Sequence, residues 1–366
     1  MKKQLVTAGF VLFSVILPLK ASAVQFTGIY AFGDSLTDTG NVYNSVSAFI
    51  PGAEFPPPPY FPGRFSNGPV WIDELAEKLN LESPTPFFKV TQGFPPIDGI
   101  NFAFGGATTT PDNTISLTIP ELAGLPGLPQ QVGAFQSLLN NQPQADPNAL
   151  YILWAGANDY LPTLGSFQPR LTPNETLGNL ADTLQALAGL GVKKLLVPNL
   201  PDLGITPAAR TAGESQRLSE LTLAHNAGLA ELIKQFDQNP LLDLDVIPLD
   251  VYSLFSNPAA LGFTDAENPC LDLNATPPTL CNNPEDYLFW DNQHPTTTAH
   301  KILGDYAYQQ LRQSATPVPE PSVSLGLLTL GAVVAFARLK RQQKKLAFTP
   351  TSQVLDVQPS RIKVES

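Results

Sequence analysis

The chain has 366 residues, with 21 Lys and Arg against 32 Asp and Glu and a formal net charge of −11. Between Val24 and Glu320 the imbalance deepens to 11 basic against 30 acidic residues, a net −19, because much of the basic charge sits at the termini. A surface this acidic repels nucleic acid and anionic lipid head groups and offers no basic stripe for phosphates, so neither is an expected partner.

The chain opens on Met1-Lys2-Lys3, an almost wholly apolar stretch over residues 5–19, and the small residues Ala21-Ser22-Ala23. That is the pattern of a secretory signal peptide over residues 1–23, with Lys20 its one irregularity, and a signal peptidase would release a chain starting at Val24. The apolar stretch is too short to span a bilayer comfortably, which sets the membrane-anchor alternative aside.

From Val24 to about residue 313, strand, loop and helix alternate, the signature of an α/β layer fold with a mostly parallel sheet. Strands are expected at 28–32, 100–104, 150–154, 194–198 and 245–249. Each is short and apolar on both faces, as a strand covered by helices on both sides should be. Helices are expected at 69–79, 128–139, 177–190, 213–236 and 297–312. In the fourth, Leu218, Leu221, Leu229, Leu232 and Phe236 recur at helical spacing.

Residues 51–65 interleave prolines with Phe55, Tyr60, Phe61 and Phe65. Prolines cannot feed a sheet ladder and favour extended backbone, so this is a stiff surface loop. It could serve an SH3-like partner as a ligand. A cleft wall is the preferred reading, because the aromatics alternate with the prolines and the loop follows the first strand. Two cysteines occur, Cys270 and Cys281, in a Pro- and Asn-rich stretch. In an exported chain two cysteines read as a disulfide; two free buried thiols are the alternative.

After residue 313 the composition changes. Residues 314–321 read as a linker ending in Pro319-Glu320-Pro321. An apolar run follows to Ala337, then Arg338, Lys340, Arg341, Lys344 and Lys345. As a helix, residues 322–337 would measure about 24 Å, short of the roughly 30 Å hydrocarbon core, and the basic cluster sets that end cytoplasmic. The Pro-Glu-Pro, the short span and the basic cluster, together residues 322–345 and their leader, resemble the PEP-CTERM sorting signal of Gram-negative bacteria. That resemblance implies a cell-envelope or secreted protein held transiently in the membrane and cut by an exosortase-type enzyme. It departs from the pattern in residues 346–366, a polar tail expected to be disordered. A plain C-terminal anchor is the alternative.

Chemistry is narrowed by the bases. There are three histidines, His225, His294 and His300, and a serine hydroxyl is unreactive without an adjacent base. His225 falls mid-helix and His300 in the last helix, where a structural or surface histidine is the ordinary reading. His294 lies in a loop that a proline ends at a helix start. Asp291, three residues earlier, can reach its Nδ1–H, fixing the tautomer that leaves Nε2 free and stabilising the imidazolium. Ser35 in Gly33-Asp34-Ser35-Leu36 follows the first strand, where α/β proteins place their chemistry.

The stretches Gly33-Asp34-Ser35-Leu36, Gly105-Gly106, Gly156-Ala157-Asn158-Asp159 and Asp291-Asn292-Gln293-His294-Pro295, in that order, resemble the SGNH or GDSL hydrolases, a family of serine esterases and lipases. The resemblance covers roughly residues 26–311. It implies a three-layer αβα sandwich around a mostly parallel, flavodoxin-like five-stranded sheet, in an expected monomer. It implies Ser35 as nucleophile, His294 as base and Asp291 as its orienting partner, with no metal and no organic cofactor. The oxyanion donors it implies are Ser35 N–H, Gly105 N–H and the Asn158 amide. Either glycine of the Gly105-Gly106 pair could present its N–H, and the first is expected to. Asp34, Asp38 and Asn41 read as loop supports through side-chain-to-backbone bonds, and Asp202 as structural more than substrate-touching. Residues 58–68 and 198–202 look like the branch holding bacterial phospholipase, lecithinase and hemolysin-type enzymes and plant lipases.

Other chemistries fail on inventory. No Gly-x-Ser-x-Gly elbow and no Gly-x-Gly-x-x-Gly after the first strand occur. The histidines and cysteines have no zinc spacing, and no carboxylate pair for glycoside cleavage stands out. A catalytically idle surface protein and an acyltransferase on the same site are the remaining rivals to an esterase.

Overall fold

A computed structural model describes residues 25–141, 144–161 and 169–315. The signal peptide, the sorting span with its basic cluster, the polar tail and all but the start of the linker lie outside the described residues. Among those described, no helix is long and apolar enough to cross a membrane.

Six parallel strands form the central sheet: β1 Ile29–Gly33, β2 Thr85–Pro86, β3 Gly99–Asn101, β4 Leu150–Trp154, β5 Lys194–Pro198 and β6 Asp245–Leu249. Their spatial order is β2-β3-β1-β4-β5-β6. Without the two-residue edge strand β2, this is the doubly wound flavodoxin-like order, whose switch point falls beside the first strand. The expected five-strand count is corrected to six. A dipeptide containing proline shows no period-2 signal, yet Thr85 and Pro86 pair with Ile100 and Asn101 at the sheet edge.

Alternation along the strands sorts the core into two layers. Ile29, Ala31, Leu150, Ile152 and Ile247 face the helices Trp71–Lys78 and Thr297–Ala315, which contribute Trp71, Ile72, Leu75, Ala299, Leu303 and Ala307. Phe32, Tyr151, Leu153, Leu195 and Val246 face the opposite way, onto Leu128–Leu138, Pro173–Gly189 and the C-terminal half of Ser215–Asp237. The three-layer expectation holds, with β1, β4, β5 and β6 apolar on both faces.

The five expected helices are present with shifted ends. Pro173–Gly189 begins four residues early because Thr172 and Glu175 form a reciprocal capping box. An unexpected helix, Asn41–Phe49, follows the loop that carries Ser35 directly. Cys270 and Cys281 are bonded to each other, closing a small hairpin of Leu271–Asp272 and Thr279–Leu280.

Candidate active site

The sheet presents its strand ends to one side, and three of the four sequence blocks leave those ends there. The fourth, carrying His294, arrives from the segment after Tyr287–Phe289. Ser35 sits two residues past β1, whose last residue Gly33 is held on both sides. Its N–H and C=O bond the Gln131 side chain at 2.9 and 2.8 Å, and its Cα lies so near β4 that a Cβ would meet the Trp154 carbonyl oxygen at 2.2 Å. Only glycine fits that approach.

The His294 Nε2 stands 2.9 Å from Ser35 Oγ, and its Nδ1 stands 2.7 Å from Asp291 Oδ2. Two residues 259 positions apart in sequence therefore meet across a hydrogen bond. The other Asp291 oxygen accepts the N–H groups of Gln293 (2.8 Å) and His294 (2.7 Å), and the Tyr60 hydroxyl donates to Oδ2 at 2.6 Å. Burial alone would raise the Asp291 carboxyl; the His294 imidazole, then the Tyr60 hydroxyl and the Gln293 N–H, hold it below its ordinary value. The role of Tyr60 was not legible in sequence. Its place in a proline-rich loop shows no partner 231 residues away.

The rest of that loop is stitched to the same segment. The Phe65 ring packs against the His294 ring at 5.3 Å. Ser66 Oγ donates to the Pro295 carbonyl at 2.8 Å, and the Thr297 N–H donates to Asn67 Oδ1 at 2.8 Å.

Asp38 is fully buried and gathers four N–H groups. Gly40 and Asn41 bond its Oδ1 at 2.7 and 2.6 Å; Val42 and Gly105 bond its Oδ2 at 3.2 and 2.9 Å. This corrects the expectation for Gly105: its N–H is committed to Asp38. Gly106 is the free one. Among the described residues its N–H has no hydrogen-bond partner, and it lines the cleft together with Ser35 and Asn158. Its φ of +76° and a would-be Cβ only 2.7 Å from Asn113 Oδ1 make glycine obligatory there.

Asn158 follows β4 through Gly156 and donates one Nδ2 hydrogen to the Ala107 carbonyl at 3.0 Å, leaving the other. Beneath it, Asp159 accepts Thr109 N–H (3.0 Å), Thr109 Oγ1 (2.6 Å) and Thr176 Oγ1 (2.8 Å). The Ser35 N–H likewise makes no bond to another described residue. Ser35, Gly106 and Asn158 thus line one cleft, each with an N–H hydrogen not used within the described residues, the kind of donor an oxyanion needs.

Two spaces meet at Ser35. An inner cavity of about 60 Å³ runs behind it, lined by apolar side chains such as Trp154, Leu161, Leu203, Phe255, Phe289 and Leu303. An outer cleft of about 470 Å³ is walled by Pro56–Pro59 and Tyr60 on one side and Ile115 and Leu273 on the other. The proline-rich loop is a cleft wall.

The remaining candidates lie off the line from Ser35 to Asp291, and the buried His300 Nδ1 has no hydrogen-bond partner among the described residues. His225 is buried with its Nδ1 3.0 Å from the Tyr160 hydroxyl, and burial lowers it to about 4. His300 is buried at the inner cavity; burial, then the nearby His294, lower it to about 3. Asp202 accepts Gly204 N–H and Ser219 Oγ at 2.9 and 2.7 Å, a turn support. Asp34 accepts the Leu36 N–H at 3.1 Å, and burial raises its carboxyl to about 7.

A hydroxyl–imidazole–carboxylate line beside spare N–H donors can cleave an acyl group by way of a covalent intermediate. The chain matches the family of GDSL-like lipases and acylhydrolases over residues 29–307. It is 29% identical over 344 residues to a phosphatidylcholine-sterol acyltransferase of Aeromonas hydrophila, spanning 81% of this chain and 95% of that one. It is 30% identical over 357 residues to a GDSL esterase/lipase of Arabidopsis thaliana, spanning 85% and 93%.

Proposed function

Because the chain belongs to the GDSL-like lipase and acylhydrolase family and is a serine hydrolase of ester bonds, we propose that Ser35, His294 and Asp291 carry out the cleavage on a neutral or zwitterionic acyl ester. The observation that carries this reading is the continuous line from Ser35 Oγ through both ring nitrogens of His294 to Asp291, at 2.9 and 2.7 Å.

In this reading Ser35 Oγ bonds the ester carbonyl carbon while its proton passes to His294 Nε2. The carbonyl oxygen takes the electron pair and is held by Ser35 N–H, Gly106 N–H and Asn158 Nδ2. As the carbonyl re-forms, the ester C–O bond breaks and the leaving alcohol receives the proton from His294. Water repeats the sequence on the acyl-enzyme, giving the acid and the free serine. Asp291 stabilises the imidazolium in each half. The narrow apolar cavity suits the acyl chain, and the wider cleft suits the alcohol, including the phosphate-bearing head group of a zwitterionic phospholipid. Steady hydrolysis of a short-chain p-nitrophenyl ester by residues 24–316 tests it: the wild type should turn over, and equal rates for Ser35→Ala would sink the assignment.

A second reading is acyl transfer to an alcohol other than water. The outer cleft, several times roomier than the inner cavity, supports it, as does the likeness to the Aeromonas acyltransferase. Product ratios with glycerol or cholesterol present separate the two. Export to the cell envelope, with removal of residues 1–23 and processing near Pro319–Pro321, completes the proposal. The Cys270–Cys281 bond supports an oxidising compartment, and the masses of the mature chain ends test it.

A further inference from the structure

The hydrogen bond from the cleft-wall loop to the acid of the site has a function of its own. We propose that Tyr60 is a positioning residue for ester cleavage, its hydroxyl fixing Asp291 and setting the basicity of His294 through it. The inference rests on the reading of Ser35, His294 and Asp291 given above.

Asp291 is 4% exposed, so each lone pair of its carboxylate must be met inside the protein. Two backbone N–H groups meet Oδ1; His294 Nδ1 and the Tyr60 hydroxyl share Oδ2. A phenol donating to a carboxylate at 2.6 Å is a short, charge-assisted bond. It does two things. It stops the carboxylate from rotating away from Nδ1, since Oδ2 is pinned from both sides. It also draws off part of the carboxylate's negative charge, so Tyr60 sets how strongly Asp291 holds the Nδ1 proton.

The tyrosine is itself braced for this. Its ring stands edge-on to Trp290 at 6.0 Å and 86°, and its N–H donates to the Pro57 carbonyl at 3.1 Å. The other titratable groups around His294 are Ser35 and Asp34 beyond β1, Asp291 in its own loop, and His300 on the last helix, behind which Asp73 pairs with Arg64. Among these only Asp291 bonds the Tyr60 hydroxyl, so a difference between wild type and Tyr60→Phe isolates this one bond.

The test is the pH profile of kcat/KM on a p-nitrophenyl ester, with Ser35→Ala as the check on the underlying reading. Tyr60→Phe keeps the ring in the cleft wall, so KM should hold within twofold or so, while kcat falls roughly tenfold. Its acid limb should move up by about half a pH unit. Substituting 3-fluorotyrosine, a more acidic donor, should move the limb down. In an Asp291→Asn background, Tyr60→Phe should cost under about twofold more, since the two act as a unit. Superimposable profiles with unchanged kcat would overturn the inference, as would a full additional loss in the Asp291→Asn background. If Ser35→Ala keeps its activity, the underlying reading fails; if it is dead while Tyr60→Phe behaves as wild type, only the role of Tyr60 fails.

Discussion

Replacing Asn158 probes the proposed oxyanion donors without touching Ser35 or His294. Its Nδ2 carries two hydrogens, one bonded to the Ala107 carbonyl at 3.0 Å. Asn158→Ala removes the donor, and loss of one such donor ordinarily costs about 2.7–4 kcal/mol, or 10²–10³ in kcat. The lost bond to Ala107 should lower stability by about 1 kcal/mol, the net worth of an ordinary hydrogen bond. Asn158→Asp keeps the shape and reverses the electrostatics. Its carboxylate would face both the Ala107 carbonyl and the developing oxyanion; two unit negative charges about 4 Å apart at an effective dielectric of 20 repel by about 4 kcal/mol. The aspartate variant should therefore fall well below the alanine variant at pH 8. Initial rates of p-nitrophenyl butyrate hydrolysis over a range of substrate concentrations separate kcat from KM, and a melting curve reports the loosened loop. An alanine variant within threefold of wild-type kcat, or an aspartate variant that matches the alanine one, would refute Asn158 as a donor.

Asp34 gives a pH signature. Burial raises its folded-state carboxyl from 3.8 to about 7, so the fold retains a proton that the unfolded chain has already released. Its contribution to stability is complete below pH 3.8 and drains away as pH rises to about 7. Asp34→Asn keeps an acceptor for the Leu36 N–H and lacks this dependence. The variant should gain on wild type from pH 4 to 7, by up to about 4 kcal/mol, and then hold level; a gap that stays constant across that range in denaturant titrations would contradict it. His225→Ala should cost about 2–4 kcal/mol, through the cavity it leaves and the Tyr160 hydroxyl it strips of a partner. Its kcat should stay near wild type, because Asp291 and Ser35 bond His294 alone of the three histidines; a stable variant with lost turnover would put His225 in the chemistry.

Whatever rests on hydrophobic period or on a count of rare residues was legible in the sequence. The four five-residue strands of the central sheet and the five long helices announce themselves by apolar spacing, whereas the strand expected at 100–104 is only Gly99–Asn101; three histidines in the whole chain leave little choice of base. What escaped was short or non-local. Thr85 and Pro86 are too few to carry a pattern, and Asn41–Phe49 has Gly40 as its N-cap, takes its side-chain cap from Asp38 further back, and holds two β-branched valines. Nothing in Gly105-Gly106 reveals which N–H is spoken for, because Asp38 claims the first from 67 residues away. Tyr60 was hidden for the same reason: its partner is set by the path of the loop, and proline composition reports stiffness without direction.

Asp38 also decides how this protein can be re-engineered. One carboxylate ties the segment after β1, the start of the following helix and the glycine turn near residue 105 into a single knot. A donor loop from a relative that replaces only the serine turn, or only the glycine turn, would leave buried N–H groups or a buried carboxylate without mates. Residues 34–42 and 101–113 are therefore one module for grafting, to be exchanged together or left alone.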